Sequence, residues 1–147
     1  MSTTNKKLRK ERTSGDDSSR MLNMRDCYGL LKDLDVEADI SWLCRLPMAT
    51  LSGSARACMF AICEAKRQKP SRALSFMVLA DGLADDRERA CVLLLRSIFE
   101  SLCGDAEAAM RIAREAEEVS QAQGDKEIER DVIEHLALLE KEVTQCK

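Results

Sequence analysis

From about residue 20 onward the apolar residues recur every three or four positions, and residues that stop and start helices separate the segments. Gly104-Asp105 and Gly124-Asp125 are the clearest separators, because a glycine ends one helix and an aspartate caps the next. Pro70 marks a further boundary. This pattern predicts helices joined by short connections, and therefore antiparallel neighbours.

Seven helices fit the periodicity. Asp85 and Glu88 form the Asp-x-x-Glu pattern of a capping box at the start of the fifth helix. The 147 residues include three Phe, one Trp, one Tyr, 6 Gly and 2 Pro, too few aromatics and turn residues for a typical β-sandwich or barrel. The sequence therefore predicts an all-α fold. The predicted helices span about 20–34, 36–46, 54–67, 71–81, 85–103, 105–123 and 125–143.

The apolar pattern repeats at a displacement of 36 residues. The aligned pairs are Ala55 with Cys91, Cys58 with Leu94, Met59 with Leu95, Ile62 with Ile98, Cys63 with Phe99, Ala73 with Ala109, Phe76 with Ile112 and Ala80 with Ala116. A period of this length in a helical chain indicates stacked helical hairpins.

Residues 104–116 resemble the centre of a tetratricopeptide repeat (TPR). Their glycine and small residues fit its G-x-x-x-x-A-x-x-x-[small or aromatic]-x-x-A pattern at Gly104, Ala109, Ala113 and Ala116. The chain departs from the family in its period, which is about 34 residues in TPR proteins, and in Gln68, which stands where the glycine is expected. The resemblance covers roughly residues 54–145.

This resemblance implies a short TPR-like solenoid of antiparallel helical hairpins. Residues 20–147 then form one domain, in which 20–47 are a candidate for a degenerate first hairpin and 125–143 for a capping helix. Residues 1–19 are basic and then polar, which predicts a disordered tail.

In TPR proteins the first helix of each pair lines the concave surface. The residues that the resemblance places in a partner-binding groove here are Cys58, Ile62, Leu94, Ile98 and Leu102. They are apolar, which favours the apolar face of a partner helix over an acidic chain terminus. In the alternative, the last helix or the N-terminal hairpin folds over these positions and makes them ordinary core.

The layout also resembles the small TPR-type chaperones of type III secretion, especially the G-type chaperone of the needle subunit. That resemblance implies a chaperone or adaptor that sequesters an amphipathic helix of a small partner, together with a second small co-chaperone. No catalytic motif is recognisable: the one histidine, His135, has no evident nucleophile beside it, and no phosphate-binding glycine loop occurs. We expect neither an enzyme nor a cofactor.

Seven cysteines raise the question of metal binding or disulfides. They are Cys27, Cys44, Cys58, Cys63, Cys91, Cys103 and Cys146. Their number is odd, no C-x-x-C occurs, and a single histidine is available, so the sequence favours buried reduced thiols over a zinc site.

The basic tail offers an alternative function, an accessory nucleic-acid-binding protein. Residues 1–20 hold six basic and three acidic residues, whereas the whole chain carries −3. The remaining acidic body makes nucleic-acid binding the weaker hypothesis. No apolar run approaches the ~20 residues of a membrane span, and the N-terminus lacks the apolar core of a signal peptide, so a cytoplasmic location is expected.

Overall fold

Helices make up most of the chain that the structure covers. The computed structural model describes residues 21–31 and 48–145. It contains six α-helices: α1 (Met24–Leu31), α2 (Gly53–Lys66), α3 (Pro70–Leu83), α4 (Arg89–Leu102), α5 (Ala106–Gln123) and α6 (Lys126–Gln145). A 3-10 turn, Met48–Thr50, precedes α2. Within the described ranges the β-type pairing is a single bridge between Leu22 and Leu51. The all-α prediction is confirmed.

The predicted helices correspond closely to the observed ones. The first appears as α1, and the third to seventh appear as α2 to α6. The predicted second helix, 36–46, lies outside the described residues, so six helices are observed where about seven were expected. α4 begins at Arg89, later than the predicted 85, because residues 86–88 form a turn before it.

Local capping interactions set the helix boundaries. Gly104 (φ 89°) and Gly124 (φ 71°) adopt the left-handed conformation that glycine tolerates without strain. Asp105 then accepts a hydrogen bond from the Ala108 amide at 3.0 Å. Asp125 accepts one from the Ile128 amide at 3.3 Å. Both predicted Gly-Asp boundaries are therefore confirmed.

Consecutive helices pack against each other, with small residues at the crossings. Ala61, Ala73 and Ala109 are fully buried between neighbouring helices. Two buried serines bridge helix pairs: the Ser54 hydroxyl donates to the Ala80 carbonyl at 2.9 Å, and the Ser97 hydroxyl donates to the Ala109 carbonyl at 2.6 Å. Small side chains bring the helix axes close together, which makes these backbone carbonyls accessible to a short hydroxyl.

The helix boundaries keep the 36-residue displacement seen in the sequence. α2 and α4 are both 14 residues long and begin at Gly53 and Arg89, 36 positions apart. α3 and α5 begin at Pro70 and Ala106, again 36 positions apart. The last helix, α6, packs on α5 and α4.

One hydrophobic core draws on all six helices. Its largest fully buried side chains include Tyr28 and Met24 of α1, Met77 of α3, Leu93 of α4 and Ile128 of α6. None of the helices in the described ranges has both the length and the hydropathy of a membrane span.

Candidate functional site

The short helix α1 lies against the first helices of the two hairpins. It packs on α2 and α4 and bonds to the beginning of α6. We call the side of α2, α4 and α6 that receives α1 the inner face. α1 is amphipathic: Met24, Cys27 and Tyr28 are at most 4% exposed, whereas Asp26 and Gly29 face solvent. The inner face thus already holds one amphipathic helix, supplied by the chain itself.

Glu88 connects this helix to α2 and α4. Its side chain and that of Asp85 exchange bonds with each other's backbone amides, at 3.1 and 2.9 Å, and this confirms the predicted capping box. The same carboxylate accepts the Met24 amide at 2.7 Å and the Ser52 hydroxyl at 2.6 Å. Glu88 is only 2% exposed, so the three hydrogen bonds that its carboxylate accepts, from Asp85, Met24 and Ser52, satisfy an otherwise costly buried charge.

Two polar residues of α1 fasten it to the first turns of α6. Arg25 forms a bidentate pair with Asp125 at 2.7 and 3.2 Å, and a further contact with Glu127 at 2.8 Å. Tyr28 donates its hydroxyl to Asp131 at 2.6 Å. Burial raises the pKa of Asp125, but the Arg25 pair and the Ile128 amide outweigh it, so the net pKa is lowered.

Three buried thiols lie around this junction. Burial raises the pKa of Cys27, Cys58 and Cys91, to about 12 for Cys91. The negative charge of Glu88 also raises the pKa of all three thiols. Such thiols stay protonated and behave as small apolar groups. The two other described cysteines, half-buried Cys63 and exposed Cys103, likewise form no disulfide. Among the described residues, no group of three or more His, Cys, Asp or Glu could hold a metal ion.

The five predicted groove residues lie at different depths. Cys58 and Leu94 are buried in the core, at 0% and 3% exposure. Ile62 and Ile98, one helical turn further along α2 and α4, are half-buried. Leu102, another turn along α4, is 52% exposed. The inner face is therefore closed where α1 lies and opens toward the C-terminal ends of α2 and α4.

The sequence did not identify Leu138 of α6 as part of this surface. Leu138 is 61% exposed and is three residues from half-buried His135, on the side of α6 that meets α4. The stripe of α6 that packs into the core consists of Ile128, Val132, Leu136 and Leu139. Leu138 falls outside that stripe, and this position was the feature of the sequence that could have identified it as an exposed apolar residue.

A serine and a histidine meet beside the open part of the inner face. Ser97 is fully buried, and its Oγ lies 2.9 Å from Nε2 of His135. Because the Ser97 hydroxyl donates its hydrogen to the Ala109 carbonyl, Oγ accepts from the Nε2–H of His135. A nucleophilic serine needs the opposite direction, with its proton moving to the histidine. The pair is therefore a structural link between α4 and α6.

We expect this link to make stability depend on pH. Burial lowers the pKa of His135, and Glu142 opposes that shift only in part. Below the unfolded pKa of 6.5 the unfolded chain binds the proton before the folded one, so the free energy of unfolding falls as the pH drops. Urea unfolding at about pH 7.5 and about pH 5.5 measures this loss.

The matched variant is His135→Gln, which keeps a donor at this position but does not titrate. It should lose less free energy of unfolding across this pH interval than the natural chain. An equal loss in both proteins would show that His135 does not set the dependence. Asp125 does not interfere, because its lowered pKa places its titration below the interval.

The chemistry of the inner face is that of a packing surface. Its buried polar groups, the Ser97 hydroxyl and the Glu88 carboxylate, are engaged in hydrogen bonds, and its exposed part carries apolar side chains. No family model, no curated protein and no solved structure matches this chain.

Proposed function

We propose that this chain is a non-enzymatic protein-binding module, a cytoplasmic chaperone or adaptor that holds an amphipathic helix of a small partner on its inner face. The observation that carries the proposal is α1 itself. A helix with one apolar face, Met24, Cys27 and Tyr28, is already held across α2, α4 and α6. A surface that accepts one amphipathic helix has the shape and chemistry to accept another beside it.

The partner helix would lie on the part of the inner face that α1 leaves open. Ile62, Ile98, Leu102 and Leu138 contribute apolar side chains there, and the last two are more than half exposed. Buried Cys58 and Leu94 lie one helical turn away, in the part of the inner face that α1 closes. Burial of this surface would contribute about 25 cal/mol per Å² of apolar area, reduced by the cost of ordering the partner.

The 36-residue displacement supports a TPR-like arrangement. Helices α2 and α4 occupy equivalent positions in two successive hairpins, and α1 contacts both of them. In a TPR-like solenoid, the first helices of the hairpins line the concave side that receives ligands. The proposed docking surface uses these two helices together with α6.

A type III secretion chaperone of the needle-subunit kind is our specific form of this proposal. Such a protein keeps an aggregation-prone amphipathic helix covered until it is released, with help from a second small co-chaperone. An apolar surface without a catalytic group suits that task. The alternative of an accessory nucleic-acid-binding protein depends on residues 1–19, which lie outside the described residues.

We expect Leu102→Asp to reduce capture of the partner helix strongly while the chain stays folded. Leu102 is 52% exposed, so a carboxylate there is solvated in the free protein but would be buried without a partner in the complex. The measurement is co-purification of partners from the source cells with tagged natural and variant chains, read by quantitative mass spectrometry. Circular dichroism checks the fold.

The matched control is Ile133→Asp, which changes an exposed apolar residue of α6 (49% exposed) that lies away from the inner face. We expect at least a tenfold loss of captured partner for Leu102→Asp, corresponding to about 1.4 kcal/mol or more, and no loss for the control. Equal recovery with both variants would overturn the proposal. Leu94→Asp is unsuitable as a test, because Leu94 is 3% exposed and the change would unfold the core.

A further inference from the structure

A second apolar surface lies on the first hairpin, away from the inner face. It consists of Phe60 of α2 and Phe76, Leu79 and Leu83 of α3, and we call it the outer stripe. Phe60, Leu79 and Leu83 are 47%, 51% and 52% exposed. The rings of Phe60 and Phe76 stack with their centroids 5.4 Å apart. Clustered exposed side chains of this size mark an interaction surface.

The outer stripe follows the groove between two antiparallel helices. Phe76, Leu79 and Leu83 are spaced three and four residues apart, so they share one side of α3. Leu83 packs over Gly53 at the beginning of α2, because a Cβ added to Gly53 would lie 3.4 Å from Cδ1 of Leu83. Phe60 is two positions from Ile62, which puts the two on nearly opposite sides of α2. The outer stripe is thus separate from the inner face.

Basic side chains border this stripe. Arg56 lies four residues before Phe60 and Arg72 four residues before Phe76, so each shares the side of its helix that carries the stripe. Arg67 is the residue that directly follows α2, seven positions after Phe60. Glu64, only 8% exposed, is the acidic group between the helices, and it is shared by Arg67 at 3.1 Å and Arg72 at 3.4 Å. Both arginines remain more than 60% exposed, so their charges also reach solvent.

The segment that carries the outer stripe and the C-terminal segment differ in charge. Residues 53–83, which contain the stripe, hold five basic and two acidic residues, whereas residues 105–145 hold five basic and twelve acidic residues. Two copies meeting through their stripes would bring the two sets of arginines together. The acidic end of a second copy offers only Ile133 and Leu138 as large exposed apolar residues within the described ranges, too few to match the stripe.

We infer that the outer stripe binds an acidic amphipathic helix of a partner protein. The apolar residues of the partner helix, three and four positions apart, would lie along Phe60, Phe76, Leu79 and Leu83. Its carboxylates would face Arg56, Arg67 and Arg72, which fixes its orientation in the groove. This binding does not depend on the inner face or on the function proposed for it.

The test uses the full chain and two designed peptides of about 18 residues. Both carry leucines three and four positions apart; one has glutamate at its flanking positions and the other has lysine. Fluorescence anisotropy of each labelled peptide gives its affinity. We expect the acidic peptide to bind at least about tenfold more tightly than the basic one, with an affinity that falls as salt is added.

Leu79→Ser should weaken the acidic peptide about tenfold, and Arg56→Glu should weaken it several-fold and reduce the salt dependence. The matched control is Val78→Ser, which alters a similarly exposed residue of the same helix (46%, against 51% for Leu79) on another side. Circular dichroism and sedimentation accompany each variant.

Equal binding of both peptides would overturn the inference, as would equal effects of Leu79→Ser and Val78→Ser or a dimer that Leu79→Ser dissociates. Leu102→Asp should leave peptide binding intact, so failure here is distinguishable from failure at the inner face.

Discussion

Replacing Glu88 with alanine is expected to lower the free energy of unfolding by about 3 to 4 kcal/mol, one of the two largest effects of a single substitution that we predict for this chain. The carboxylate is buried at 2% exposure and accepts hydrogen bonds from the amides of Met24 and Asp85 and from the hydroxyl of Ser52. Its removal leaves these donors without their acceptor and opens a cavity where three segments of the chain meet.

Chemical unfolding followed by circular dichroism measures this change. Asp86→Ala is the control, since Asp86 lies two residues away in the same turn and is exposed. It should change the free energy of unfolding by no more than about 0.5 kcal/mol. A Glu88→Ala loss as small as that of the control would mean that the capping box and the α1 contact contribute little.

Replacing Tyr28 with alanine is expected to cost about 3 to 5 kcal/mol and to release α1 from the inner face. The Tyr28 side chain is 2% exposed, and its hydroxyl donates to Asp131 at 2.6 Å. The substitution therefore removes both the largest apolar contact of α1 and one of its bonds to α6. Amide hydrogen exchange should then increase across α1 more than across α4.

Tyr28→Phe separates the two contributions. It keeps the ring and removes only the hydroxyl, so we expect a loss of about 1 to 2 kcal/mol, with α1 still protected from exchange. If the alanine variant exchanged uniformly faster in all helices, α1 would be an integral part of one cooperative unit. It would then not be a separately held helix.

Local chemistry explains why the helices could be predicted. The Asp85 and Glu88 capping box and the two Gly-Asp boundaries depend on residues within a few positions of each other, so the sequence alone displays them. The 36-residue period likewise follows from helical periodicity, and it reappears in the bounds of α2 and α4.

The segment that lies over the predicted groove residues, α1, could not be identified from the sequence in the same way. Arg25 pairs with Asp125, 100 residues away, and Glu88 accepts the Met24 amide, 64 residues away. Periodicity indicates which side of a helix is apolar but not which segment lies on it. The sequence therefore left groove and core as alternatives, and the structure places Cys58 and Leu94 in the core and leaves Leu102 exposed.

Site-specific photo-crosslinking inside the source cells tests the proposed helix-binding function most directly. A photoreactive amino acid replaces Leu102 on the open part of the inner face in one chain and Ile133, which is similarly exposed on α6, in another. We expect a discrete adduct from position 102 and none from position 133, with the crosslinked peptide mapping to an amphipathic helix of a small protein. Adducts of equal yield at both positions, or none at position 102, would contradict a helix-binding inner face.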